Sequence, residues 1–233
     1  MNRSKKLLSY FTPTEKIIWL ISALLILLSY LLSPSADTLS FVASLIGITS
    51  LILCAKGHPL GQVLIILFST LYGIKSYQVA YYGEMLTYVG MTLPMAVLSL
   101  ISWVRHPFKK GKAEVRVNPH LQKKEYLLLS LLTLLVTALF YFILKALETA
   151  NLIVSTISVT TSFAAVYLTW RRHPFYALAY GANDVVLIVL WTLVSLEDAS
   201  QLPMLLCFFA FLLNDIYSFI NWKRLEKKQR KDG

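Results

Sequence analysis

Charge is what this sequence has least of. Only 15% of its 233 residues are Asp, Glu, Lys or Arg, while 57% are hydrophobic, and the mean hydropathy is +0.63. A soluble domain of this length needs far more polar surface, so the composition points to an integral membrane protein. Cysteine is scarce too. Cys54 and Cys207 both lie inside apolar runs and read as small buried hydrophobes, with no disulfide framework and no CxxC metal pattern. The four histidines, His58, His106, His120 and His173, each neighbour a proline, and none has a second ligand at metal spacing. There is no Walker A loop and no GxSxG elbow, so ATP-driven pumping and α/β-hydrolase chemistry have no support within the chain. No catalytic residue, metal or cofactor is expected.

What the chain has is apolar length. Eight runs, near 17–32, 38–55, 59–80, 85–104, 126–147, 151–170, 174–194 and 202–222, approach the ~20 residues that cross a bilayer core as a helix. The formal net charge of +10 raises nucleic acid as a partner, but its distribution excludes it. Twenty of the 22 Lys and Arg residues fall on one side: the N-terminus, the turn with Lys56, the central loop, Arg171 and Arg172, and the tail from Lys223. Asp37, Glu84, Glu148, Glu197 and Asp198 fall on the other, near Lys75 and Lys145. The positive-inside rule then puts both termini in the cytoplasm, and the basic excess is topology with some attraction to anionic lipid. The first span follows basic residues, but "SPSAD" is a poor cleavage site, so an uncleaved helix is expected.

Pairing His58-Pro59 with His173-Pro174, and "ISW" with "INW" after a four-residue gap, matches spans 2–4 to spans 6–8. The fifth span restores the direction that three crossings invert. The expectation is an all-α membrane protein with one N-terminal helix and a 3+1+3 core of two parallel repeats. Its segments are 1–36 (basic N-terminus and extra helix), 37–108 (first repeat), 109–150 (cytoplasmic loop and linking helix), 151–223 (second repeat) and 224–233 (basic tail). The "WVRHPF" and "WRRHPF" pair reads as convergent helix-exit punctuation, and the central loop holds too few apolar residues for a core.

Two stretches place Asn-Asp within apolar spans, "YGANDVVLIVLW" and "FLLNDIYSFINW". A carboxylate at mid-membrane costs at least ~2.5–3.5 kcal/mol on insertion scales, so it faces a cavity or a partner. Tyr180, Asp184 and Trp191 share one helical stripe with Asn183 at its flank; Asn214 and Tyr217 share another with Asp215 beside it. The plainer reading is interhelical glue. In the first repeat Gln62 and Tyr72 (third span) and Tyr88 (fourth span) are candidates for the same site. The Ser and Thr stripes read as packing surfaces, and Trp19, Trp103, Trp170 and Trp222 as an interfacial belt. Trp191 above Asp184 suits a flat cationic solute: the ring stacks and the carboxylates offset the charge.

Over about residues 38–225, "HPLGQVLIILFSTLYGIKSYQVAYYGEML", "LPMAVLSLISW" and the two Asn-Asp stretches together resemble the PnuC-type nicotinamide riboside transporters. The resemblance implies a 3+1+3 fold, a homotrimer with one pathway per protomer in a bacterial inner membrane, and facilitated diffusion of nicotinamide riboside with a cytoplasmic riboside kinase trapping the product. It carries Asn183 over as a binding residue, with Asn214, Tyr217 and Trp191 as further lining. Relatives carrying thiamine or riboflavin mark an alternative, because "MAVLSLISW" keeps only Trp103 of the family's aromatic pattern. An intramembrane aspartyl protease also uses two Asp on neighbouring helices, but "GAND" lacks the final Gly of its motif. A receptor or scaffold would bind without flux.

Overall fold

The computed structural model describes residues 10–32, 38–78, 82–109, 113–149, 151–197 and 202–232. Arg3, Lys5, Lys6, Asp37, Lys110, Lys112 and Asp198, used above for topology, lie outside the described residues, as do 79–80 of the expected third span. Within them are eight helices long and apolar enough to cross a membrane: α1 (Pro13–Leu32), α2 (Thr38–Ala55), α3 (Leu60–Gln78), α4 (Tyr82–Arg105), α5 (Lys123–Ala146), α6 (Leu152–Trp170), α7 (Tyr176–Glu197) and α8 (Leu202–Asp232).

The helix starts follow from local chemistry. At α1 the Thr12 hydroxyl accepts the Glu15 N–H at 3.2 Å and the Glu15 carboxylate accepts the Thr12 N–H at 2.8 Å, a capping box with Pro13 at the first helical position. Helix α4 is not uniform: Leu86–Thr92 is a π-helix. Pro94 offers no N–H to the Gly90 carbonyl and its ring crowds that turn, and a wider turn just before it relieves the conflict. Helix α8 continues through the basic tail to Asp232. Good helix formers, the Glu226 pairs with Lys223 and Arg230 and docking of Gln229 onto the Val117 N–H and Val115 carbonyl carry it past the apolar run.

The turns after α2 and α6 match in detail. Gly57 and Arg172 both have φ near +60°; His58 N–H donates to Leu53 O at 3.0 Å, and His173 N–H to Leu168 O at 2.9 Å. The imidazole Nδ1 of each histidine accepts a backbone N–H two residues on, from Leu60 and Phe175. The central loop hydrogen-bonds both turns, Val115 N–H to Gly57 O and Asn118 N–H to Arg172 O. It is thus a packed cap, with Val115 and Leu121 buried against Trp103 and Trp222. At the start of α3 only glycine fits: a Cβ on Gly61 would lie 2.6 Å from Cys54 Sγ and 2.7 Å from its backbone N, and this close approach joins α2 to α3. Helix α8 packs on α7, α2 and α1, and α4 on α3 and α6, while α5 touches mainly α6.

Candidate substrate site

A small cavity of about 50 Å³ lies inside the bundle, lined by α2, α3, α4, α6, α7 and α8. Its polar lining is Gln62, Tyr88, Thr92, Ser162, Thr169, Tyr176, Tyr180, Asn183, Asp184 and Asp215, with Leu51, Cys54, Ile65, Phe68 and Phe211 as the apolar part. Asp184 and Asp215 are 3% and 2% exposed. Among these lining residues there is no Lys, Arg or His.

Two of the polar groups, Asn183 and Gln62, are held from behind. The Asn183 Oδ1 accepts hydroxyls from Thr161 at 2.8 Å, Ser162 at 3.0 Å and Ser158 at 3.3 Å, all on α6. With that oxygen saturated, the amide N–H groups are what Asn183 has left to offer. Gln62 Nε2 donates to Cys54 Sγ at 3.3 Å.

Aromatic layers close the cavity at both ends. At the basic end, Trp103 and Trp222 are fully buried, with ring centroids 5.4 Å apart, and Tyr176 lies 4.8 Å from Trp222. These two tryptophans are not belt residues. Trp103 Nε1 donates to Thr169 O at 2.9 Å and Trp222 Nε1 to Cys54 O at 2.8 Å, so each caps the C-terminal end of a helix remote in sequence, α6 and α2. Toward the other end, Tyr72 and Tyr88 rings are 4.4 Å apart, and Phe68, Phe208 and Phe211 join them.

Of the ten residues singled out from sequence, six line the cavity: Asn183, Asp184, Asp215, Tyr180, Gln62 and Tyr88. Tyr72 and Trp191 belong to the aromatic layer above it. Trp191 is seven residues from Asp184, about 10 Å along a helix axis, and stacks at 6.4 Å on Phe208. Asn214 and Tyr217 face elsewhere. Asn214 Nδ2 donates to Ser22 Oγ at 2.9 Å and to Ala210 O, and Tyr217 OH donates to Glu15 Oε1 at 3.0 Å; both tie α8 to α1. Adjacent helical residues diverge by about 100°, so Asp215 on the cavity turns Asn214 away from it. The sequence reading missed Cys54, Tyr176, Phe68 and Phe211 as lining residues. It also took Thr92, Ser162 and Thr169 for packing surface. The matched turn register, which sets Cys54 against Thr169, was the signal that could have found that pair.

A more open cleft of about 420 Å³ lies at the basic end, bounded by Tyr10, Glu15, Lys56, His58, Glu114 and Lys228 among others. Its lysines are paired, Lys56 with Glu15 at 3.0 Å and Lys228 with Glu114 at 3.2 Å. Burial holds the His58 imidazole below its ordinary range, and His173 likewise, against a backbone bond to Pro119 O that acts the other way.

A cavity with two carboxylates, an oriented amide and aromatic covers, set among the membrane-spanning helices, is the candidate solute site. Residues 37–224 match the family model described as nicotinamide mononucleotide transporter. The chain belongs to that family. It is a family of multi-pass membrane transporters rather than enzymes, so the aspartates are not a protease pair. The nicotinamide riboside transporter PnuC of Neisseria mucosa is 24% identical over 193 residues, covering 82% of this chain and 73% of that protein. The protein of the same name from Haemophilus influenzae is 24% identical over 227 residues, covering 96% of each. A crystal structure of the vitamin B3 transporter PnuC superposes with a TM-score of 0.81 at 23% identity, covering 94% of each chain; the fold is the same. Helix α1 lies before the matched segment, though buried polar bonds wire it to α8.

Proposed function

We propose that this chain carries nicotinamide riboside across a bacterial inner membrane by facilitated diffusion, with alternating access around the closed cavity. The observation that carries the reading is the buried Asp184–Asp215 pair in a cavity lined by no Lys, Arg or His. The pyridinium of nicotinamide riboside is a fixed cation that cannot lose its charge, and a carboxylate pair offsets it where water is scarce. The same pair argues for the riboside over the mononucleotide named in the family description: a phosphate would enter beside two carboxylates with no cationic partner. Asn183 donates to the carboxamide oxygen, Gln62 and Tyr180 reach the ribose hydroxyls, and Tyr88 stacks on the ring.

The cavity holds a few waters rather than a nucleoside, so one aromatic layer must part at a time. The Tyr72, Tyr88 and Trp191 layer opens outward, and the Trp103, Trp222 and Tyr176 layer opens to the cytoplasm, where both termini lie. Product is trapped by a cytoplasmic riboside kinase. The protomers form a homotrimer: α5 has Leu144 as its only buried side chain among the described residues, leaving a broad face for lipid or a neighbour.

Proteoliposomes holding the purified chain test this. Nicotinamide riboside should equilibrate, indifferent to Na⁺ replacement or a protonophore, and accumulate only with a riboside kinase and ATP enclosed. Uphill uptake driven by an imposed Na⁺ or pH gradient without kinase would sink the mechanism. A melting-temperature screen with the mononucleotide, thiamine and riboflavin checks the substrate.

A further inference from the structure

Asp184 on α7 and Asp215 on α8 line the same small cavity, and both are almost fully buried. An ionised carboxylate only accepts hydrogen bonds, so two carboxylates in one cavity can satisfy each other only with a proton between them. Each side chain has one fully buried oxygen with no hydrogen-bond partner among the described residues, Asp184 Oδ2 and Asp215 Oδ1. The titratable groups facing the pair are Cys54 from α2, Tyr88 from α4, and Tyr176 and Tyr180 from α7, and none is cationic. Gln62 from α3 and Thr169 from α6 add only neutral dipoles. Two bare negative charges there would repel each other and each lack its hydration.

We infer that Asp184 and Asp215 share a single proton, which sets the cavity at one net negative charge and selects a monocationic ligand. The inference rests on the cationic substrate proposed above. When the cation binds, the proton stays and the loaded cavity is neutral overall. A neutral solute would leave the negative charge unmatched. A proton that remains with the pair through the cycle neither drives nor follows the flux.

Purified full-length protein with Asp184→Asn, Asp215→Asn and the double replacement tests this, each variant first checked for a monodisperse oligomer. Infrared difference spectra should contain the carbonyl stretch of a protonated carboxyl that both single variants lose, since the remaining aspartate then ionises. Glu84 can contribute a band of its own, so only a band lost in both variants counts. Each single replacement should weaken nicotinamide riboside binding by about three- to tenfold, the loss of one hydrogen bond. The double should weaken it by roughly 100-fold, the loss of the charge. The uncharged reduced riboside should lose far less in the double. Calorimetry in two buffers of different ionisation enthalpy should register no proton released on binding. Absence of the shared band, a single variant as weak as the double, or release of one proton overturns the inference. If the band is present and no nicotinamide riboside binds, the substrate reading fails while the shared proton stands.

Discussion

Replacing Glu15 by Ala removes the acceptor through which α1 docks. Its carboxylate is 1% exposed and accepts from Lys56 Nζ at 3.0 and 3.1 Å, from Tyr217 OH at 3.0 Å and from Thr12 N–H at 2.8 Å. Breaking a buried ion pair by deleting one partner costs about 3–5 kcal/mol. Lys56 is 15% exposed beside the wide basic cleft, so the stranded ammonium regains water and about 2 kcal/mol is the better figure. The lost Tyr217 bond adds about 1 kcal/mol and the broken capping box about 0.5. The expected loss is therefore about 3–4 kcal/mol, or roughly 6–16 °C in melting temperature for a chain of this size. Glu15→Gln keeps an acceptor and the capping bond, and should lose about half as much. The assay is thermal unfolding in detergent of Glu15→Ala, Lys56→Met and the double variant. A coupling of at least about 1 kcal/mol is expected, because losing both charges is milder than stranding one. A shift below about 2 °C for Glu15→Ala, or strict additivity with Lys56→Met, would refute this account of how α1 is held.

Asn183→Ala should weaken nicotinamide riboside binding by about 10–100-fold with normal insertion, read by calorimetry; unchanged affinity would reduce Asn183 to a brace for α6. The pH dependence follows from His58 and His173, whose folded values burial lowers from 6.5. The unfolded chain then binds more protons just below that value, so stability is full above about 6.5 and falls as pH drops through it. Melting temperatures across that window should decline, and His173→Asn should flatten the decline; a wild-type curve that is level there would contradict it. A cysteine placed within 196–201 should label from outside, and a tag after Asp232 should be protease-protected in intact cells. The reverse pattern would overturn the assigned orientation.

Class and span number were legible in the sequence because they depend on local quantities. A run of ~20 apolar residues crosses a bilayer wherever it sits. The Asn-Asp stretches also announced themselves, since a buried carboxylate in an apolar run demands an explanation. Which neighbour of each pair meets the cavity was not legible. Asp215 reaches it and Asn214 reaches Ser22, because that choice depends on the rotation of α8 against α7, α2 and α1. The same holds for Trp103 and Trp222. At a helix end an interfacial anchor and a buried plug look alike, and only the carbonyls of Thr169 and Cys54, which accept from these indoles and sit on helices distant in sequence, decide between them. Cys54 read as a filler until Gly61 brought α3 close enough for Gln62 to meet its sulfur. Helix–helix rotation and depth are settled by packing between remote segments, and no local pattern in the chain encodes them.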